Sequence, residues 1–68
     1  MMLKKFKGNE ILYRKGNEDK HILIYNQWDL GEKYKIYSKH DGNAGYSFNV
    51  SFDTLGNALK YFNMIYVA

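Results

Sequence analysis

The chain reads as a small α+β domain in which a four-stranded antiparallel β-meander carries one C-terminal α-helix packed on one face. Three observations predict that class. Tyr46, Phe48, Val50 and Phe52 alternate with Ser47, Asn49 and Ser51, the period of two that marks a strand with one dry and one wet face. Immediately downstream, Leu55, Ala58, Leu59, Phe62, Ile65 and Tyr66 recur at helical spacing and form a single apolar stripe, which belongs against the dry face. Upstream, two β-branched and aromatic runs flank Gly16-Asn17-Glu18-Asp19-Lys20, a stretch of turn formers that joins them as a hairpin.

Taken in order, the first strand covers Glu10 to Lys15 (EILYRK), or begins nearer Leu3, and the second covers His21 to Gln27 (HILIYNQ). Trp28-Asp29-Leu30-Gly31-Glu32 leads from there into a third strand, Tyr34 to Lys39 (YKIYSK). Asp41-Gly42-Asn43-Ala44-Gly45 closes a second hairpin into Tyr46 to Phe52. Asp53 or Thr54 caps the helix, since either side chain accepts a hydrogen bond from a free amide of the first turn. Gly56 runs against propensity, at about 1 kcal/mol relative to alanine in a helix interior and less near an end, and the sequence offers no reason for it.

Parity then assigns the faces. Ile11, Tyr13, Ile22, Ile24, Tyr34, Ile36, Tyr46, Phe48, Val50 and Phe52 are expected to point at the helix. Leu12, Arg14, His21, Leu23, Tyr25, Gln27, Lys35, Tyr37, Lys39, Ser47, Asn49 and Ser51 are expected on an open face. That face would mix basic, aromatic and hydrogen-bonding side chains without a carboxylate, because Glu18, Asp19, Asp29, Glu32, Asp41 and Asp53 fall in loops or at the helix cap.

Length and composition bound the function. With 68 residues the chain is one domain, residues 1–68, with residues 1–8 read as a mobile basic segment ahead of it. A chain of this size buries only about 60% of its unfolded surface. It has no cysteine to reinforce a marginal core by a disulfide or a thiolate metal site. Its aromatic residues, 18% of the chain, and association with a partner are the remaining sources of stability. Lys4, Lys5 and Lys7 account for the whole +3 excess, so the body is formally neutral. Arg14 is the one arginine, which disfavours bidentate recognition of phosphate or guanine. The usage of Lys, Asn, Tyr and Ile is that of an AT-rich coding sequence and carries no chemistry. No apolar run reaches the roughly 18 residues of a membrane span, and none follows Met1 to Lys7 as a secretory signal would require. A soluble, intracellular protein with no membrane partner is expected.

Catalysis is the class least favoured. His21 and His40 have no neighbouring ligand at a metal-binding spacing, His40-Asp41 sits at a turn, and no G-x-S-x-G, P-loop or H-E-x-x-H is present. The expectation is therefore a non-enzyme with no cofactor, no metal and no small-molecule substrate. Binding fits better. Off the core stripe of the helix lie Tyr61 and Met64, a rigid amphipathic anchor and an adaptable apolar one. Trp28, at the end of its strand, either closes the edge of the core or stands out as an interface hot spot. Together with Tyr25, Tyr37 and Leu23 on the open face, these residues form the candidate protein interface. A homodimer has two routes, sheet face against sheet face or edge pairing through the first or last strand. The alternative is a single-stranded nucleic-acid binder using Arg14, Lys35, Lys39, Tyr37 and Tyr25, bases stacking on the aromatics and cations following the phosphates. The neutral body makes such binding weak and salt-sensitive.

A meander ending in Phe52-Asp53-Thr54-Leu55 and an amphipathic helix, in a short cysteine-free chain rich in Lys, Asn, Tyr and Ile, resembles small accessory proteins of bacteriophages and mobile elements, among them anti-CRISPR and other anti-defence inhibitors. The likeness is one of size, composition and architecture and brings no residue roles with it. It implies an inhibitor acting in the cytoplasm of a bacterial host by occupying the surface of a host protein or complex. Many such inhibitors are acidic DNA mimics. This chain is basic, which implies occlusion of a protein surface or the locking of an assembly.

Overall fold

A computed structural model describes residues 5–39 and 45–66. Tyr34–Lys39 and Tyr46–Phe52 are strands over their expected lengths, and the helix begins at Leu55. His40, the loop from Asp41 to Ala44, Lys4 and the approach from Leu3 lie outside the described residues. Among the described residues the sheet has five strands rather than the expected four. They are β1 (Lys5–Phe6), β2 (Asn9–Lys15), β3 (His21–Tyr25), β4 (Tyr34–Lys39) and β5 (Tyr46–Phe52), paired antiparallel in sequence order. A left-handed turn links β2 to β3, with Glu18 and Asp19 at φ 55° and 54° and the Lys20 amide donating to the Asn17 carbonyl at 3.1 Å.

The extra strand comes from Lys7-Gly8. Both residues are left-handed, at φ 51° and 80°, so they make the two-residue turn whose twist matches flanking antiparallel strands. Phe6 is thereby set opposite Asn9, and Lys5 opposite Glu10. Lysine is a poor resident of the first position, where asparagine or glycine is usual, so nothing in the sequence marks the segment as a hairpin.

Two β-bulges rearrange the faces. Ile11 pairs with Ile24 and Tyr13 with Leu23, which leaves Leu12 as an extra residue in β2. Val50 pairs with Ile36 and Phe48 with Tyr37, which leaves Asn49 extra in β5. Each bulge shifts the side-chain parity of everything beyond it. Ile11, Tyr46 and Phe48 are thus turned away from the helix and Ser47 toward it. In β3, which has no bulge and is buried on both sides, Ile22 and Ile24 also face away while His21, Leu23 and Tyr25 share the helix side, the reverse of the expected parity. Tyr13, Tyr34, Ile36, Val50 and Phe52 face the helix as expected, and Arg14, Lys35, Tyr37 and Lys39 face away as expected.

The domain consequently has two cores that share the central strand β3. On the helix side, Leu23, Ile36, Ala58 and Phe62 are buried, with Val50, Phe52, Leu55, Leu59 and Ile65 packed around them. On the other side, Phe6, Ile11, Ile22 and Ile24 are buried beneath Tyr37 and Tyr46. Phe6 belongs to the edge strand, yet its ring centre lies 4.6 Å from that of Tyr37 on β4 and 5.2 Å from that of Tyr46 on β5. The sheet therefore curls until β1 closes over the far strands. The face expected to be open is instead a filled concavity.

Helix α1 (Leu55–Met64) lies on β4 and β5. Thr54 caps it, accepting a hydrogen bond from the Asn57 amide at 3.2 Å. At the other end, Lys15 Nζ donates to the Phe62 and Asn63 carbonyls, both at 3.0 Å. A cation there satisfies carbonyls that the helix leaves unpaired and opposes the negative end of its dipole. Ile65 is already extended and Tyr66 is 86% exposed, so Tyr66 leaves the apolar stripe to which its spacing assigned it. A Cβ at Gly56 would meet nothing within 4 Å, and nothing in the structure explains the glycine.

Candidate protein interface

The connection from β3 to β4 is built on Asn26 and Asp29. Asn26 donates its amide to the Lys33 carbonyl at 2.8 Å, accepts the Asp29 amide on its own carbonyl at 3.2 Å, and accepts the Trp28 amide on Oδ1 at 3.0 Å. Asp29 Oδ1 accepts the Gly31 amide at 2.8 Å, and its Oδ2 lies 2.7 Å from Lys35 Nζ. The hydrogen bond from Lys35, reinforced by the Gly31 amide, holds the Asp29 carboxyl below its ordinary range. Glu32 Oε1 accepts from Ser51 Oγ at 2.8 Å and ties the loop to β5. These contacts leave the two large apolar side chains of the loop outside: Trp28 is 77% exposed and Leu30 fully exposed. Of the two roles open to Trp28, closing the core edge is thereby excluded.

The remaining candidates scatter. Met64 and Tyr61 are exposed on α1, with the Tyr61 ring 5.6 Å from that of Phe52. Tyr25 packs against Tyr34, ring centres 5.2 Å apart, on the helix side of the sheet. Tyr37 lies on the other face between Phe6 and Phe48. Leu23, expected on the open face, is completely buried beneath the helix. Leu30 and Phe48, the latter expected to face the helix, are also exposed. Leu30 sits in a loop where no periodicity exists to flag it, and Phe48 was hidden by the bulge at Asn49.

Arg14, Lys35, Lys39 and Tyr37 do gather on the face away from the helix, without Tyr25. Their charges are engaged. Arg14 Nε lies 3.4 Å from Asp19 Oδ2, Lys35 pairs with Asp29, and Lys39 Nζ donates to the Glu18 carbonyl at 3.1 Å. The loops thus fold carboxylates onto a face that parity left without any. Ammonium groups also cover the rings: Lys7 over Phe6 and Tyr37 at 5.4 and 5.9 Å, Lys35 over Phe48 at 5.9 Å, Lys39 over Tyr46 at 4.9 Å. Of these rings Phe48 is the most open, at 56%. A base stacking there would have to displace these cations.

His21 Nδ1 is hydrogen-bonded to Ser38 Oγ at 2.7 Å, and partial burial, then Lys20 and Lys15, hold its pKa below the ordinary value. Among the described residues no three or more His, Asp or Glu side chains gather as a metal site. A shallow cleft of about 300 Å³ beside Lys5, Asn9, Glu10 and Tyr25 falls at the lower end of small-ligand pockets. No described helix is long and apolar enough to cross a membrane. Compared with protein-family models, characterised proteins and solved structures, the chain finds no match.

Proposed function

We propose that this chain is a non-catalytic protein-binding protein that docks through the β3–β4 loop, with Trp28 and Leu30 as its anchors. One observation carries the reading: an indole 77% exposed and a fully exposed leucine stand two residues apart on a loop already pinned by Asn26, Asp29 and Lys35. A side chain held out on a fixed support loses little entropy on binding, and tryptophan is among the residues enriched at interface hot spots. Arg14 and Lys35 on the sheet face are paired with Asp19 and Asp29, which favours the loop over that face as a nucleic-acid platform. The resemblance to phage and mobile-element inhibitors supplies the partner class, a bacterial host protein whose surface is occluded or whose assembly is held inactive.

The test is capture of a bacterial protein from lysate by the immobilised chain, repeated with Trp28→Ala and Leu30→Ser. Neither substitution touches a core, so both variants should keep the parent circular dichroism and thermal midpoint. Loss of one hot spot costs about 2 kcal/mol or more, so affinity should fall about thirtyfold in each variant. Capture that survives both substitutions unchanged rules the loop out. A steeply salt-dependent shift of single-stranded DNA or RNA that disappears in Tyr37→Ala would replace this reading with the nucleic-acid one.

A further inference from the structure

The two edges of the sheet are managed in opposite ways. β1, at one edge, is two residues long and carries Lys5, both common devices against unwanted strand pairing. β5, at the other, is seven residues long, and Tyr46-Ser47-Phe48-Asn49-Val50-Ser51-Phe52 contains neither a charge nor a proline. Among the described residues β5 is paired on one side only, with β4. Its single protective device is the bulge at Asn49. Ser47, Phe48 and Asn49 are exposed at its centre, and exposed apolar surface flanks it on both sides of the sheet, Phe48 on one and Tyr61 of α1 on the other.

We infer that β5 pairs antiparallel with β5 of a second copy of this chain, joining two sheets into one across a two-fold axis. Charge selects the occupant and its direction. With the Arg14–Asp19 and Lys35–Asp29 pairs neutral, the Tyr46 end of the strand holds Lys20 and Lys39 against Glu18, with the Lys39 ammonium 4.9 Å from the Tyr46 ring centre. At the Phe52 end lie Glu32, bonded to Ser51, and Asp53, which follows directly. Antiparallel self-pairing brings the cationic end of each copy to the acidic end of the other, whereas parallel pairing sets like against like. The bulge then selects the register. Paired residues must lie on the same face of the joined sheet, and the face assignments of β5 allow this when Tyr46 meets the partner's Ser51 and Ser47 meets the partner's Val50. Phe48 then falls opposite the partner's Asn49, so the two exposed Phe48 rings flank the axis and cover each other. Trp28 lies on a separate loop, so the dimer and the docking reading stand or fall separately.

Sedimentation equilibrium and hydrogen exchange on the full chain test the inference. Across a low to high micromolar series the mass should rise from the 8.0 kDa monomer toward twice that value, with amide protection increasing along β5. Asn49→Lys and Phe48→Lys place a charge at the joint, at positions that are exposed in the monomer, and should weaken association at least tenfold. Trp28→Ala should leave it unchanged. A monomer at every concentration overturns the inference. So does a dimer that tolerates both lysines, or one whose protection rises elsewhere than in β5. If either lysine variant fails to fold, exchange in the parent protein decides alone.

Discussion

Replacing Phe6 by alanine removes a ring that is only 9% exposed and closes the core on the face away from the helix. Phenylalanine-to-alanine changes in a core cost about 3–5 kcal/mol, the lower figure applying where the surroundings can collapse, as beside a two-residue edge strand. The ring also makes two tilted or edge-on contacts, with Tyr37 and Tyr46, each worth about 0.5–1.5 kcal/mol beyond area. The whole-side-chain figure already contains these contacts, so a loss of about 3 kcal/mol is expected. At about 0.05–0.15 kcal/mol per residue, the 68-residue chain has about 3–10 kcal/mol in total, so the variant should keep about 0–7 kcal/mol. Its thermal midpoint should fall by about 12–24 °C. Urea titration followed by far-ultraviolet circular dichroism, with the slope compared to show that the same surface is exposed, measures the effect. A loss below about 1 kcal/mol would refute the curled sheet and return residues 1–8 to the free basic segment that the composition implies.

Two further outcomes follow from polar contacts. Lys15→Met keeps the aliphatic stem but removes the cation at the helix C-terminus and should cost about 1 kcal/mol in urea titration; an unchanged midpoint would show that the Phe62 and Asn63 carbonyls are served equally well by water. The lowered pKa of His21 means that the unfolded chain takes up its proton first as pH falls below 6.5. Stability from this group is therefore fully present above 6.5 and is lost on descending through the lower folded value. Midpoints measured between about pH 5 and 8 should show that decline, and His21→Gln should flatten it.

What the sequence discloses about this fold depends on where each residue sits. β4 and the start of α1 are legible because β4 alternates cleanly, YKIYSK, and because Thr54 precedes a helical stripe. β3 is the opposite case. As the central strand it is buried on both sides, and Ile22, Leu23 and Ile24 form an unbroken apolar run, so parity held no information about which face meets the helix. The bulges at Leu12 and Asn49 are tertiary choices that no local pattern announces. In β5 the alternation is real, yet the bulge divides its dry residues between two cores. Of the candidate site, Trp28 was legible by type, but whether it packed or projected depended on side-chain contacts of Asn26 and Asp29 that only the folded loop creates.

Trp28 also determines how this protein can be watched. It is the one tryptophan in the chain, and it is already surrounded by solvent in the native state. Unfolding moves the indole from water to water, so its emission should barely change while the rest of the molecule melts. Docking moves the same indole from water to a dry contact and should shift its emission to the blue. The chain thus carries a built-in optical probe that is nearly blind to its own folding and sensitive to the event proposed for its surface.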